Sequence, residues 1–135
     1  MSSDLVLVDT SAWIEFFRKD QKGSVTAIEV ERLLSEDLVV TTEPVLVELA
    51  AGVRGKKSLA QLVEMFSSFH DAKVTEQVWS AATENVFLMS SRGYTIPLAD
   101  HLIATVSMSY ELPLLHLDKH FGQIASVLSL KEHVS

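Results

Sequence analysis

Apolar residues along this chain are gathered into short blocks, and the spacing within each block predicts whether it forms a strand or a helix. Residues 5–8 read Leu-Val-Leu-Val without a polar break, which is typical of a strand buried on both faces of a parallel sheet. Residues 113–117 form a second, mostly apolar run of this kind. Shorter runs predict strands at residues 38–40, 72–74 and 127–130. The predicted strands are therefore spread over the whole length of the chain.

Between these strands the apolar residues recur every three or four positions, which predicts helices with one buried face. The predicted helices cover residues 10–18, 24–35, 42–53, 59–66 and 76–92, a stretch that starts at Pro97, and a short turn around Phe121. Strands that alternate with helices favour right-handed crossovers, which place helices on both faces of a sheet. We therefore predict an α/β fold, a three-layer α/β/α sandwich with a mostly parallel central sheet.

Composition narrows the class of protein. The 135 residues are 47% hydrophobic and 21% charged and contain no repeat or linker, so we expect a single domain over residues 1–135. The absence of cysteine excludes a disulfide framework, a thiolate zinc site and a cysteine nucleophile. The first residues do not have the pattern of a secretion signal, and no apolar run reaches the ~18 residues of a membrane span. We expect a cytoplasmic domain that does not associate with a membrane.

The net charge of −7 at first argues against a nucleic-acid partner, because phosphate binding usually shows as an excess of lysine and arginine. Carboxylates gathered around a divalent metal, however, reverse the local sign of the charge and can attract phosphate. The net charge alone therefore leaves the class of substrate open.

Four of the 18 acidic residues lie among apolar neighbours, where a carboxylate is costly to bury. Asp9 and Asp118 each end a buried type of strand, at the side of an open α/β sheet where ligands bind. Asp100 lies near the start of a predicted helix, where free N–H groups favour an anion. Glu48 lies off the apolar stripe of its helix and can face a cleft. These four residues are the candidate functional acids.

If the four carboxylates converge, they need a counter-ion. Two carboxylates about 5 Å apart repel by roughly 3 kcal/mol at an effective dielectric constant near 20. Mg²⁺ or Mn²⁺ removes this penalty, and both ions suit oxygen-rich sites. The same positions are equally compatible with four unconnected helix caps and surface acids, and spacing alone does not decide between the two interpretations.

Other catalytic motifs fit the chain poorly. Asp9 has no second acid two residues further on, which disfavours an aspartate-based phosphotransfer enzyme. No Gly-x-Ser-x-Gly elbow is present for a serine hydrolase. His116 and His120 flank Asp118, so an extended segment would turn all three side chains the same way. Both histidines are therefore candidates for supporting the metal ligands or for contacting a phosphate group.

Four stretches of the chain resemble the PIN-domain nucleases, and among them the VapC-type toxins of bacterial and archaeal toxin–antitoxin pairs. The stretches are residues 5–13, 47–53, 96–104 and 114–121, and each contains one of the four acids. Together with the chain length, the likeness covers essentially all 135 residues.

The resemblance implies a metal-dependent endoribonuclease that hydrolyses RNA phosphodiester bonds, with the toxin of a type II pair as its role. It implies that the acidic residues hold one or two Mg²⁺ or Mn²⁺ ions and that a hydroxyl group supports the first acid. The acids are Asp9, Glu48, Asp100 and Asp118, and the hydroxyl group is that of Ser11.

The resemblance also implies partners: a homodimer, and a cognate antitoxin that lies across the active-site groove. The chain departs from the family's pattern at His116, where threonine or serine is frequent, and at His120, where a further acid is common. Candidate contacts to the RNA backbone are Arg18, Arg54, Lys56, Lys57, Arg92 and Lys119. The alternative function is a non-catalytic PIN-like module that binds RNA or protein, although binding alone does not require four converging carboxylates.

Overall fold

The computed structural model describes residues 4–133, and in that part of the chain seven α-helices surround a four-stranded sheet. The strands are β1 (Val6–Val8), β2 (Val39–Thr41), β3 (His70–Asp71) and β4 (Leu114–Leu115). The helices are α1 (Thr10–Phe17), α2 (Val25–Ser35), α3 (Glu43–Ala50), α4 (Lys56–Ser67), α5 (Glu76–Ser91), α6 (Leu98–Ser109) and α7 (Lys119–Ala125). None of these helices has both the length and the apolar character needed to cross a membrane.

The sheet is parallel throughout, with the strand order β3-β2-β1-β4. The central strand β1 pairs Leu7 with Val40 of β2 on one side and with Leu114 of β4 on the other. All three residues of β1 are buried, as expected for a strand covered on both faces. The predicted α/β sandwich with a mostly parallel central sheet is confirmed.

The prediction of a last strand at residues 127–130 is wrong. The backbone N–H of Leu128 donates to the carbonyl of Ile124 at 2.8 Å, so the chain leaves α7 in a tight turn. The apolar side chains of this run pack against the core and do not belong to a strand. The pairing with β4 in this region is a parallel bridge between Leu114 and Glu132.

The edge strand β3 begins two residues earlier than the strand predicted at residues 72–74. Ala72 is buried and donates its N–H to the carbonyl of Thr41 at 2.8 Å, directly after the strand ends. Both residues of β3 are exposed and polar, so no apolar pattern in the sequence indicates their position.

An aromatic cluster packs α1 against α4. Trp13 of α1 is fully buried, with its ring centroid 5.1 Å from that of Phe66 and 5.4 Å from that of Phe69. Phe16 and Phe17 contact the same indole from within α1. This packing fixes the position of α1, and with it the turn that connects α1 to the end of β1.

Candidate metal centre

Two of the four candidate acids lie at the carboxyl edge of the sheet. Asp9 follows β1 directly, and Asp118 comes three residues after the end of the neighbouring strand β4. Each acid also caps a helix: Asp9 accepts the N–H of Ser11 and Asp118 accepts the N–H of His120, both at 2.9 Å. Because neighbouring parallel strands end at the same edge, the topology places both carboxylates on one side of the molecule.

Asp9 is the most deeply buried of the four acids, with 2% of its surface exposed. Its Oδ2 atom accepts both the N–H (2.9 Å) and the hydroxyl group (2.6 Å) of Ser11. Its Oδ1 atom is buried and has no hydrogen-bond partner within residues 4–133. Burial raises the pKa of the Asp9 carboxyl group, the hydrogen bonds from Ser11 oppose this rise, and the charge of Glu48 adds to it. Buried oxygens without a partner are rare in folded proteins, so Oδ1 indicates a position where a ligand is expected.

Ser11 connects the two strand ends. Its Oγ atom donates to Asp9 and also accepts the backbone N–H of Leu117 at 2.9 Å. Leu117 directly precedes Asp118, so a single hydroxyl group links the start of α1 to the segment that carries the other acid. This position is compatible with the supporting role predicted for Ser11.

Glu48 reaches the site from α3. Its side chain is half-buried, and Oε1 accepts the hydroxyl group of Thr10 at 2.6 Å. Glu48 lies close enough to Asp9 for its charge to raise the pKa of that carboxyl group. It therefore lies at the side of the site formed by α1 and α3.

Asp100 lies near two of the other acids, Asp118 and Asp9. It lies in the first turn of α6 and is 7% exposed. Burial and the charges of Asp118 and Asp9 raise the pKa of Asp100 from 3.8 to about 6, although the hydrogen bond with His120 opposes this rise. The Asp100 carboxyl group is thus costly to ionise until a cation is near.

His120 lies between two of the acids. Its Nδ1 atom is 2.9 Å from Oδ2 of Asp100 and 3.0 Å from Oδ1 of Asp118. Ligand atoms of these three residues all lie within 4.8 Å of one another, a spacing that can hold a metal ion. His120 was not among the predicted metal ligands. Its spacing of two residues from Asp118, at the start of α7, was the signal for this position.

His116 points away from this group. Its Nε2 atom is 2.7 Å from Oε2 of Glu132, while its Nδ1 atom accepts the backbone N–H of Asp118 at 3.1 Å. The imidazole of His116 therefore supports the segment that carries Asp118.

The four acids are connected by pairwise proximity, and His120 is the basic side chain that the structure shows in contact with them. Asp9 interacts electrostatically with both Glu48 and Asp100, and Asp100 interacts with Asp118. Among the side chains that the structure describes, none of the four forms an ion pair with lysine or arginine. Such an arrangement of oxygens, with one imidazole nitrogen, has the chemistry of a divalent-cation site.

A groove of ≈ 300 Å³ opens beside Glu48. Its walls come from α1, α3, α4 and the residues that follow α1 and α3, and it is lined by Ile14, Phe17, Arg18, Glu48, Leu49, Gly52, Val53 and Leu62. Ile14 and Phe17 leave about half of their surface exposed (51% and 46%). Arg18, one of the basic residues considered for RNA contact, lines this groove and pairs with Asp20 at 3.3 Å.

Comparison with solved structures shows the same fold in a toxin–antitoxin complex from Klebsiella pneumoniae, which superposes with a TM-score of 0.62 at 17% identity and covers 93% of this chain and 94% of that chain. VapBC2 from Rickettsia felis, bound to a DNA fragment from its promoter, superposes with a TM-score of 0.76 at 17% identity, covering 96% of this chain and 97% of that chain. FitAcB from Neisseria gonorrhoeae also superposes with a TM-score of 0.76, at 19% identity, with the same coverage of 96% and 97%.

Comparison at the level of sequence gives the family. Ribonuclease VapC11 of Mycobacterium tuberculosis is 30% identical over 131 residues, which cover 94% of this chain and 96% of that protein. The family described as PIN domain matches residues 6–127. The chain therefore belongs to the PIN domain family and, within it, to the VapC ribonucleases.

Proposed function

We propose that this protein is a divalent-metal-dependent endoribonuclease that hydrolyses RNA phosphodiester bonds as the toxin of a type II toxin–antitoxin pair. One observation carries the metal dependence. Asp118 and Asp9 lie near Asp100, none of the three pairs with lysine or arginine in the described part of the chain, and Oδ1 of Asp9 is buried without a hydrogen bond. A divalent cation satisfies the unpaired oxygen and neutralises the crowded charge.

The residues present fit Mg²⁺ or Mn²⁺. Asp9, Asp100 and Asp118 would bind one ion, and Glu48, which lies beside Asp9, would support it or help to hold a second ion. A bound ion in such a site supplies Lewis-acid activation of water and stabilises the oxygen that leaves the phosphate.

The remaining site residues act by positioning. Ser11 holds the Asp9 carboxylate in one orientation through two hydrogen bonds and fixes the adjacent segment through the N–H of Leu117. Thr10 does the same for Glu48 through its hydroxyl group. The carboxylates are thus oriented before an ion or substrate arrives, which lowers the cost of reorganisation during the reaction.

The proposed substrate is RNA in a single-stranded or looped form, because bases in a duplex are hidden from side chains. The net charge of −7 does not oppose this assignment, since a bound cation attracts the scissile phosphate locally. Arg18 lies in the groove beside Glu48, where it can contact the RNA backbone. With RNA as substrate, we place the activity in the cytoplasm.

The proposed partners are a second copy of the chain and a cognate antitoxin. The Klebsiella pneumoniae structure with this fold is a toxin–antitoxin complex. In this chain the groove beside Glu48 has exposed apolar walls at Ile14 and Phe17, which is the surface that an apolar protein segment requires. A segment bound there would block access to the acids.

The test is cleavage of structured RNA by the purified chain with Mn²⁺ or Mg²⁺, with and without a chelator. We expect cleavage that the chelator abolishes and that the substitution Asp100→Asn reduces by about 10²-fold or more, the scale of effect seen when a group that stabilises a transition state is removed. Asp37→Asn is the matched control, because the same chemical change falls on a side chain that is 82% exposed.

Cleavage that persists in chelator would contradict the proposed metal dependence. RNA binding without cleavage of any RNA under these conditions would instead support the non-catalytic PIN-like module.

A further inference from the structure

The imidazole of His120 belongs, with Asp100 and Asp118, to a group of residues whose ligand atoms all lie within 4.8 Å of one another. Its Nδ1 atom lies 2.9 Å from Asp100 Oδ2 and 3.0 Å from Asp118 Oδ1. A nitrogen that contacts one oxygen from each of two carboxylates can share a single cation with both. The backbone N–H of His120 donates to the same Oδ1 atom of Asp118 at 2.9 Å, which fixes the base of this side chain relative to its neighbour.

A second observation, independent of these contacts, comes from Asp9, which lies outside this group of three residues but near enough for its charge to act on Asp100. Asp9 is 2% exposed, and its Oδ1 atom is buried without a hydrogen-bond partner in the described part of the chain. The other carboxylate oxygen of Asp9, Oδ2, accepts two hydrogen bonds from Ser11. The lone pairs without a donor are therefore those of Oδ1. A cation on the side of Asp9 that faces Asp100 would give this oxygen a partner.

The orientation of the other nearby histidine contrasts with that of His120. The Nε2 atom of His116 is bonded to Glu132 and its Nδ1 atom accepts the N–H of Asp118, so both of its ring nitrogens have partners outside the acidic group. The site therefore has one imidazole nitrogen available as a ligand, and it belongs to His120.

We propose that His120 is a nitrogen ligand of the metal and that it makes the site select Mn²⁺ over Mg²⁺. Mg²⁺ prefers an all-oxygen octahedral shell, whereas imidazole suits first-row transition metals. Binding through Nδ1 requires the neutral ring with its hydrogen on Nε2, so that the lone pair of Nδ1 faces the ion that the two carboxylates also bind. This inference rests on the proposed function, because it concerns the metal that the nuclease uses.

The test uses the whole chain loaded with Mn²⁺ and does not depend on RNA cleavage. Pulsed electron paramagnetic resonance detects a nitrogen bound to Mn²⁺ through its nuclear modulation. We expect this nitrogen signal in the parent chain and in His116→Asn, and its loss in His120→Asn. The control is closely matched because the asparagine oxygen can still accept the N–H of Asp118 that Nδ1 of His116 accepts in the parent.

Calorimetric titration with each metal tests selectivity. We expect the ratio of the Mg²⁺ to the Mn²⁺ dissociation constant to fall by about tenfold in His120→Asp, because an all-oxygen donor set removes the advantage of the transition metal. Thermal melting of each variant with chelator checks that it is folded before metal is added.

The outcomes separate this inference from the proposed function. Three results would overturn the role of His120 and leave a metal-dependent nuclease intact. The first is Mn²⁺ that binds the parent without a nitrogen signal, and the second is a signal that survives in His120→Asn. The third is an unchanged ratio of the Mg²⁺ to the Mn²⁺ dissociation constant in His120→Asp. Failure of the folded parent chain to bind Mn²⁺ at millimolar concentration would overturn both.

Discussion

A carboxylate that folding buries beside other carboxylates destabilises the fold when it ionises, and Asp100 is the residue where this effect is largest. Its pKa rises from 3.8 to about 6 because of burial and of the charges of Asp118 and Asp9. His120 opposes the rise but does not cancel it. Functional sites often contain groups that destabilise the fold when no ligand is bound and are stabilised when a ligand binds. The buried carboxylates around Asp100 have this property.

The raised pKa of Asp100 predicts how the stability of the metal-free protein depends on pH. Between about pH 4 and about pH 6 the folded chain holds a proton on Asp100 that the unfolded chain releases, so the contribution of Asp100 to stability is full below about pH 4 and is lost as the pH rises through about 6. Asp100→Asn removes the charge, and we expect it to stabilise the protein in chelator at pH 8 by ~1–2 kcal/mol, or roughly 3–8 °C in Tm. At pH 4 the difference should disappear. Thermal melts at both pH values measure it.

The exposed control Asp37→Asn should melt like the parent at pH 8, because the Asp37 side chain is 82% exposed. A lower Tm for Asp100→Asn than for the parent at pH 8, in the absence of metal, would mean that the contact with His120 outweighs the repulsion among the carboxylates.

At the scale of elements, the spacing of apolar residues in the sequence identifies the strands and helices that bury a regular set of side chains. The strands β1 and β4 are buried on both faces, and the helices carry a regular apolar stripe, so both appear in the sequence pattern. Residues 127–130 show the limit of this signal, because an apolar run that packs beneath a turn looks the same as a short strand. β3 shows the opposite limit, since its residues are exposed and its pairing is made by the backbone alone.

The acids of the candidate site were predictable from the sequence, whereas the contacts of its histidines were not. Acids that end buried strands or interrupt apolar stretches were identifiable by their neighbours, and the fold brings these acids together. The direction of a side chain at a helix start depends on which elements surround it, so the contact of His120 with Asp100 required the structure. The same holds for the contact of His116 with Glu132, 16 residues further along the chain.

The aromatic cluster between α1 and α4 predicts where the fold is sensitive to truncation. Phe66 is 4% exposed and contacts the Trp13 ring, so we expect Phe66→Ala to destabilise the protein by about 3–5 kcal/mol through lost burial and a new cavity. Phe87 of α5 is 76% exposed, and the matched change Phe87→Ala should cost about 0.5 kcal/mol or less. Urea denaturation measures both, and similar losses for the two variants would contradict this view of the core.

At the scale of the whole molecule, an acidic protein is proposed to act on an acidic polymer. The net charge of −7 repels RNA at long range, and the carboxylates of the site add to this repulsion unless they are bound to metal. The proposed cation therefore has two effects, one on the reaction and one on the stability of the molecule. The second effect is measurable without any substrate.

If the acids form one cation site, divalent metal should stabilise the folded chain by mass action. At a free concentration 100 times its dissociation constant, Mn²⁺ should add about 2.7 kcal/mol, or roughly 5–11 °C in Tm. Asp9→Asn and Asp100→Asn should each remove most of this gain, whereas Asp37→Asn should keep it. NaCl at matched ionic strength must give a much smaller shift, because screening of the net charge of −7 requires no site. Equal shifts with NaCl and Mn²⁺, or a full Mn²⁺ shift in both site variants, would show that these carboxylates do not bind one ion.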